Sequence, residues 1–211
     1  ILIFLTLFVI YFFYRIDRTK IQLFKKEKVL KEVQKIAQLG YWEFDVMQKK
    51  LRWSDEVYHI FGFEPKEFEA SYENFIKYIE QSIKDHWDLP ALTDFKGATS
   101  SYKDVARKIE KLHLLFEHCG IRKGDKIALC SRNTSSWGIA FLATLSYGAV
   151  AVPILNEFKP DNVHHIVNHS EARLLFAGDV VWENLDESAM PDLDGVLRIE
   201  DYSLRTSNSK Q

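Results

Sequence analysis

The chain has 211 residues, enough for one or two domains at typical sizes of about 100 to 200 residues. Its 46% hydrophobic and 27% charged residues are those of an ordinary globular protein with a sizeable core, and a net charge of -2 argues against nucleic acid as the main partner. The two cysteines, Cys119 and Cys130, have no CxxC spacing, which argues against a structural disulfide and makes reduced thiols in a cytosolic compartment the default.

Residues Ile1 to Tyr14 are an apolar run broken only by Thr6, and the chain begins at Ile1, not Met. A spanning helix needs about 20 apolar residues, so this stretch is expected to be the trailing part of a truncated transmembrane helix. A signal-peptide core fits less well, because basic residues follow the run instead of preceding it and no small-residue cleavage site appears. Arg15, Arg18, Lys20, Lys25, Lys26 and Lys28 come directly after it. Positive flanks stay on the cytoplasmic side, so the expectation is a membrane-anchored chain with its bulk in the cytoplasm. Within residues 15–37, Ile16, Leu23, Leu30, Val33, Ile36 and Ala37 recur at helical spacing among lysines. This basic juxtamembrane segment reads as a solvated helix leaving the membrane, with a signalling coiled coil as the sharper alternative.

From residue 38 the period changes. Tyr41 to Val46 alternates aromatic and acidic residues as a half-buried strand should, Lys49 and Lys50 mark a turn, and Leu51 to Trp53 is a second strand. Ser54 is an N-cap residue before a short helix with Ile60, Phe61 and Phe63 on its apolar side; Pro65 opens the next turn, and Phe68, Tyr72, Phe75 and Ile76 face inward. The order GYWEFD, LRWSDEVYHIFGF, then a proline and an acidic residue resembles the first part of a PAS sensor domain of the membrane histidine kinase type, over about Ile36 to Ile76. That resemblance implies an α+β domain, but the long closing strands do not follow, so residues 38–77 are expected to be an incomplete PAS-like fragment. YENFIKYIEQSIKDHW passes into the next pattern in one helical run, with no exposed linker between Asn74 and Ser82. A natural fusion usually places a linker there, so this junction has the character of a chimera.

Asp85, His86, Asp88 and Asp94 suggest acid-base chemistry, but beside Trp87 and Pro90 they read better as turn residues. Tyr102 to Cys119 then carries Val105, Ala106, Ile109, Leu112, Leu115 and Phe116 at three- and four-residue steps, an amphipathic helix that Gly120 ends. Lys123, Gly124 and Asp125 form a turn, and Lys126 to Cys130 is a strand. Asn133, Thr134 and Ser135 are capping types ahead of a helix from Trp137 to Tyr147 with Gly148 at its end. Ala149 to Val152 is a strand closed by Pro153; Asp161 to His169 is a helix, Arg173 to Phe176 a strand, Trp182 to Ser188 a weaker helix, and Val196 to Ile199 a last strand. Such alternation with short connections predicts parallel pairing by right-handed crossovers: α/β, part of a doubly wound parallel sheet. Arg205 to Gln211 is polar and aperiodic, and reads as a disordered tail.

LTDFKGATSSYKDVARKIEKL, GIRKGDKIAL, SSWGIAFLATLSYGAVAVPI and LLFAGD, in this order and spacing, resemble the N-terminal subdomain of the adenylate-forming acyl-CoA synthetase superfamily, most nearly the long-chain fatty-acid ligases. The resemblance covers about Tyr78 to Tyr202, within a domain expected at residues 78–204. For a full-length ligase it implies activation of a fatty acid by ATP and magnesium to an acyl-adenylate, then transfer to coenzyme A. The family's phosphate loop, of the form YTSGTTGxPKG, occurs nowhere in the chain, and its catalytic lysine region is likewise absent. No family catalytic residue can be carried over, no cofactor-binding residue is assigned, and this part is expected to be inactive alone. The alternatives are a membrane-anchored PAS sensor fragment and a non-functional chimera of the two.

Other constellations read blandly. In HHIVNH, His165 and His169 are one helical turn apart, a spacing that can hold zinc, but with no third ligand in view His164, His165 and His169 are taken as solvated helix residues and no metal site is assigned. Cys119 sits at a helix C-terminus, where the dipole does not activate a thiol, and Cys130 reads as a small core residue. Gly120 and Gly124 precede a strand, the reverse of a phosphate loop's order. The tryptophans read as core or rim packing.

Overall fold

A computed structural model of the chain describes residues 39–207 apart from 46–49, 66 and 68, together with scattered positions between 18 and 33. The apolar run Ile1 to Tyr14 lies outside the described residues, as do the last four positions of the expected tail. Among the described residues no helix is long and apolar enough to cross a membrane. The positions described between 18 and 33 are helical and exposed. The chain divides into two compact units, Ile1–Phe75 and Ile76–Gln211.

In the first unit, strands β1 (Trp42–Asp45) and β2 (Lys50–Trp53) pair antiparallel with Trp42 opposite Trp53, and helix α1 (Asp55–Ile60) follows. Trp53 gathers the aromatic side chains: its ring stacks on Phe61 at 5.1 Å and meets Tyr58 at 5.5 Å and Phe75 at 6.4 Å edge-on. Gly40 lets this chain segment close on α1, because a Cβ there would lie 2.5 Å from the Val57 side chain. Two details depart from the pattern reading. Ser54 occupies the N-cap position, but its hydroxyl accepts from the Tyr41 N–H instead of from the helix, tying β1 to β2. Ile60 is largely exposed. The run YENFIKYIEQSIKD is one unbroken helix, α2 (Tyr72–Asp85), as its continuous periodicity predicts.

The second unit opens with a hairpin of β3 (Pro90–Thr93) and β4 (Thr99–Ser101), which periodicity does not reveal, with Asp94 in the turn between the strands. Helix α3 (Tyr102–His118) starts with a full capping box: Ser101 Oγ accepts from the Asp104 N–H, and the Asp104 carboxylate accepts from the Ser101 N–H at 3.1 Å. Strand β5 (Lys126–Cys130), helix α4 (Ser135–Tyr147), strand β6 (Val150–Ile154), helix α5 (Pro160–Ser170) and strand β7 (Ala172–Ala177) follow. Helix α4 is capped by Thr134, whose hydroxyl accepts from the Trp137 N–H, and stops at Gly148 with φ 87. The short α6 (Asp179–Trp182), a 3-10 turn (Glu187–Ala189), β8 (Gly195–Arg198) and β9 (Leu204–Ser207) complete it.

The five-stranded sheet has the order β6-β5-β7-β8-β9, parallel except for β9. Alternate residues of each strand supply its two faces. Ile127, Leu129, Leu174, Phe176 and Leu197 pack with α3 and α4 around Leu112, Phe116, Ile139 and Ala143. Ala128, Cys130, Leu175, Ala177 and Val196 pack with α5 around Val163 and Val167, closed by Met190 and Leu193. This three-layer arrangement is the doubly wound α/β architecture.

Three boundaries are corrected. Pro153 does not close β6; the strand runs on to Ile154, because β6 is an edge strand that pairs only with β5 and needs no N–H on its outer side. The helix expected over Trp182 to Ser188 is replaced by α6 and the 3-10 turn, since Asn184 and Asp186 satisfy backbone groups locally: Asn184 Nδ2 donates to the Val180 carbonyl, and the Asp186 carboxylate accepts from the Ser188 N–H. Arg205 to Ser207 belong to β9 and not to a disordered tail, because the strand pairs with Gly195 to Leu197.

Candidate functional site

From β5 the chain crosses to β6 on one side and then, through α5, to β7 on the other side of β5. The carboxyl ends of β5 and β7 are therefore the topological switch point, where open α/β sheets leave a crevice for ligands. A cavity of about 560 Å³ lies there. Ser131, Arg132 and Thr134 reach it from the end of β5, Asn156 and Phe158 from the end of β6, Gly178 and Asp179 from the end of β7, and Ile199 and Glu200 from the end of β8. Pro160 and Val163 of α5 and Val181 and Leu185 beside α6 supply an apolar wall.

The floor is set by a close approach. The Gly178 N–H donates to the Cys130 carbonyl at 3.1 Å, and a Cβ on Gly178 would stand 3.0 Å from Ser131 Cβ. The next residue, Asp179, is held by charge. Arg198 donates to both carboxylate oxygens, from Nε to Oδ1 at 2.9 Å and from Nη2 to Oδ2 at 2.5 Å, and Arg205 Nη2 donates to the same Oδ1. The Asp179 N–H donates to Glu200 at 3.2 Å, and Arg198 also reaches Asp201 at 3.1 Å. The Arg205 guanidinium lies 5.9 Å from the Trp182 ring, which fixes it from the other side. Tyr202, in the left-handed region at φ 62, donates its hydroxyl to the Ser136 carbonyl at 2.9 Å, and burial pushes that hydroxyl up to about 12.

Both carboxylates at the crevice are engaged by guanidinium or backbone donors, and Tyr202 is committed as a donor far above neutral pH. What faces the cavity is the Arg132 side chain with hydroxyl and amide groups beside an apolar wall, suited to a ligand with a polar end and an apolar body.

The residues weighed in the sequence lie apart from it, each with a local partner. The Asp85 carboxylate accepts from Gln81, the His86 ring nitrogen bonds the Ser82 carbonyl, and Asp88 pairs with Lys103 at 2.8 Å. Asp94, in the hairpin turn, accepts from the Ser135 N–H at 2.7 Å and so caps α4 from a distance in sequence. Gly120 and Gly124, with φ 66 and 89, turn the chain before the amino end of β5, the edge opposite the cavity. His164 Nε2 accepts from the Asp186 N–H, while His165 and His169 stack with ring centres 5.7 Å apart. Burial raises the Cys119 thiol and pushes the Cys130 thiol up to about 11. Sequence reasoning missed Gly178, Asp179, Arg198 and Arg205; the available signal was a Gly-Asp pair directly after an apolar strand.

A family profile described as AMP-binding enzyme matches residues 79–209. Crotonobetaine/carnitine-CoA ligase of Proteus mirabilis is 33% identical over 79 residues, 37% of this chain and 15% of that protein. Surfactin synthase subunit 2 of Bacillus subtilis is 28% identical over 96 residues, 46% of this chain and 3% of that protein. Among solved structures, coronafacic acid ligase from Pectobacterium brasiliense superposes with a TM-score of 0.55 at 19% identity, over 61% of this chain and 27% of that one. The N-terminal subdomain of NpsA from Klebsiella oxytoca superposes with a TM-score of 0.51 at 21% identity, over 61% of this chain and 32% of that one. At these identities the structures establish the fold, and the chain spans less than a fifth of the length of the two sequence relatives. With its family-profile match and its switch-point sheet in agreement, the chain belongs to the AMP-binding enzyme family.

Proposed function

We propose that this chain is the N-terminal part of an ATP-dependent acyl-CoA ligase whose substrate is a long-chain fatty acid, and that it does not form an acyl-adenylate alone. The observation that carries the reading is the family match over residues 79–209, joined to a crevice whose two carboxylates, Asp179 and Glu200, are already engaged. A whole ligase of this kind takes ATP, magnesium and coenzyme A. The residues of the crevice do not fit magnesium: Asp179 is neutralised by two arginines, Glu200 accepts from a backbone N–H, and among the described residues no three acidic, histidine or cysteine side chains converge. The test is ATP-pyrophosphate exchange with the purified chain and fatty acids of graded length. Background exchange is expected, and exchange that depends on fatty acid overturns the reading.

The same proposal places the chain at a membrane through Ile1 to Tyr14, with the basic residues from Arg15 onward on the cytoplasmic side. Resistance of the chain to carbonate extraction checks this. A second reading, a PAS-type sensor fragment, draws support from the separate Ile1–Phe75 unit, where an antiparallel hairpin leads into a short helix around Trp53. Limited proteolysis separates the two: survival of residues 78–202 with loss of 16–75 favours the ligase scaffold, and the reverse favours the sensor.

A further inference from the structure

We propose that His165 and His169 form a two-ligand site for a divalent transition-metal ion, with copper(II) bound most tightly. Both lie on α5, four residues apart, so their side chains share one stripe of the helix. Both are exposed, and their rings stand nearly parallel, 9° between planes and 5.7 Å between centres. Two imidazoles bound to one metal at about 2 Å each hold their ring centres about 5 Å apart, close to the 5.7 Å of this pair, and each exposed side chain turns about its own bonds to aim a nitrogen at the shared ion. His164 differs although it is adjacent: its Nε2 accepts the Asp186 N–H, and it is spent on fixing the turn after α6. No described residue hydrogen-bonds the rings of His165 or His169.

The backbone beneath the pair is already ordered. Val163 and Val167 anchor α5 to the sheet, Pro160 starts it, and Asn168 Nδ2 donates to the Ala189 carbonyl at 2.8 Å. Little ordering therefore remains when the metal binds, which is what preorganised ligands contribute. Among the described residues no third histidine, cysteine or acid converges with the pair, so water takes the other coordination positions. Such an open site follows the order of intrinsic metal affinity, in which copper(II) exceeds nickel and zinc. The bound ion spans the last turns of the helix whose first turn supplies Pro160 and Val163 to the cavity wall.

The experiment titrates copper(II) sulfate alone into the full chain in a non-chelating buffer, followed by calorimetry and electron paramagnetic resonance. One equivalent with a two-nitrogen imidazole signature is expected. His165→Ala and His169→Gln each weaken binding about tenfold or more and abolish that signature, as loss of one of two ligands requires. His164→Ala leaves both unchanged. Far-UV circular dichroism verifies that each variant keeps its helices, and the exposed glutamine variant stands in if the alanine variant does not fold. Unchanged copper affinity in the His165 and His169 variants, an equal loss in the His164 variant, or no stoichiometric binding overturns the proposal.

Discussion

Arg173, on β7, holds together three segments distant in sequence, and its removal gives the sharpest test of how the second unit is stabilised. Its Nε donates to Asp194 at 2.6 Å, and its Nη1 donates both to Asp125 and to the Gly120 carbonyl at 2.8 Å. The guanidinium thus ties the end of α3, the turn before β5 and the loop before β8 to the middle of the sheet. A hydrogen bond to a charged group contributes about 1.5 to 3 kcal/mol when sheltered. Arg173 is 34% exposed and its carboxylate partners 27% and 25%, so water screens part of this. We expect Arg173→Ala to cost about 2 to 3 kcal/mol, and Arg173→Lys an intermediate amount, because an ammonium lacks the planar fork that serves three acceptors. Urea denaturation of the full chain, followed by far-UV circular dichroism, reads the difference as a shift in midpoint at constant slope. The effect should depend on pH. Burial pushes the Asp125 carboxyl up, but hydrogen bonds from the Arg122 N–H and from Arg173 outweigh it and hold the group below its ordinary value. A carboxyl lowered by folding contributes stability fully above its unfolded pKa of about 4 and loses it as pH falls through the lower folded value. The gap between wild type and Arg173→Ala should therefore narrow in acid below about pH 4. A variant within about 0.5 kcal/mol of wild type at neutral pH would refute the account, since surface substitutions without a structural role fall in that range.

Phe176 is fully buried on β7 with the rings of Phe116 and Tyr202 edge-on at 6.1 Å, and Phe176→Ala is expected to cost about 3 to 5 kcal/mol by the same denaturation assay. Gly148 ends α4 at φ 87 with Lys123 Cγ only 3.1 Å from where a Cβ would stand, so Gly148→Ala should lower stability by about 1 to 2 kcal/mol, read as a lower thermal midpoint. Burial, aided by the charge of Glu157, pushes the Cys130 thiol up to about 11, so in the native chain at pH 8 iodoacetamide should leave it unmodified until denaturant is added; rapid native alkylation at Cys130 contradicts its placement.

Local periodicity carried most of the second unit. The helix from Tyr102, its stop at Gly120, the strand from Lys126 to Cys130 and the helix ending at Gly148 all follow from spacings within one element. What escaped depended on partners far along the chain. Pro153 reads as a strand end until β6 is seen at the sheet edge, where its missing N–H costs nothing. β9 reads as a polar tail because its ladder is made with β8 and its arginine is matched to Asp179, 26 residues away. Asp94 looks like an ordinary turn residue because its role, capping α4 through the Ser135 N–H, spans 41 residues. The crevice itself was illegible for the same reason: strand order, not strand identity, places Ser131 beside Gly178.

The charge pattern at that crevice decides what the sheet can contribute to a ligase. A switch point offers a place for a ligand regardless of chemistry, and its catalytic use depends on ionisable groups left free to act. Asp179 sits where such a group would be useful, yet Arg198 binds it with two donors and Arg205 approaches from β9, so its charge is spent on joining β7, β8 and β9. Removing either arginine would leave Asp179 paired with the other, and solvent screens part of the loss at a carboxylate 39% exposed. Glu200 is similarly drawn in, its oxygen accepting the N–H that begins α6. The acidic residues at the strand ends thus serve the architecture. The groups left facing the cavity are Arg132 and the neutral side chains of Ser131, Thr134, Asn156 and Asn184, against the wall of Phe158 and Val163.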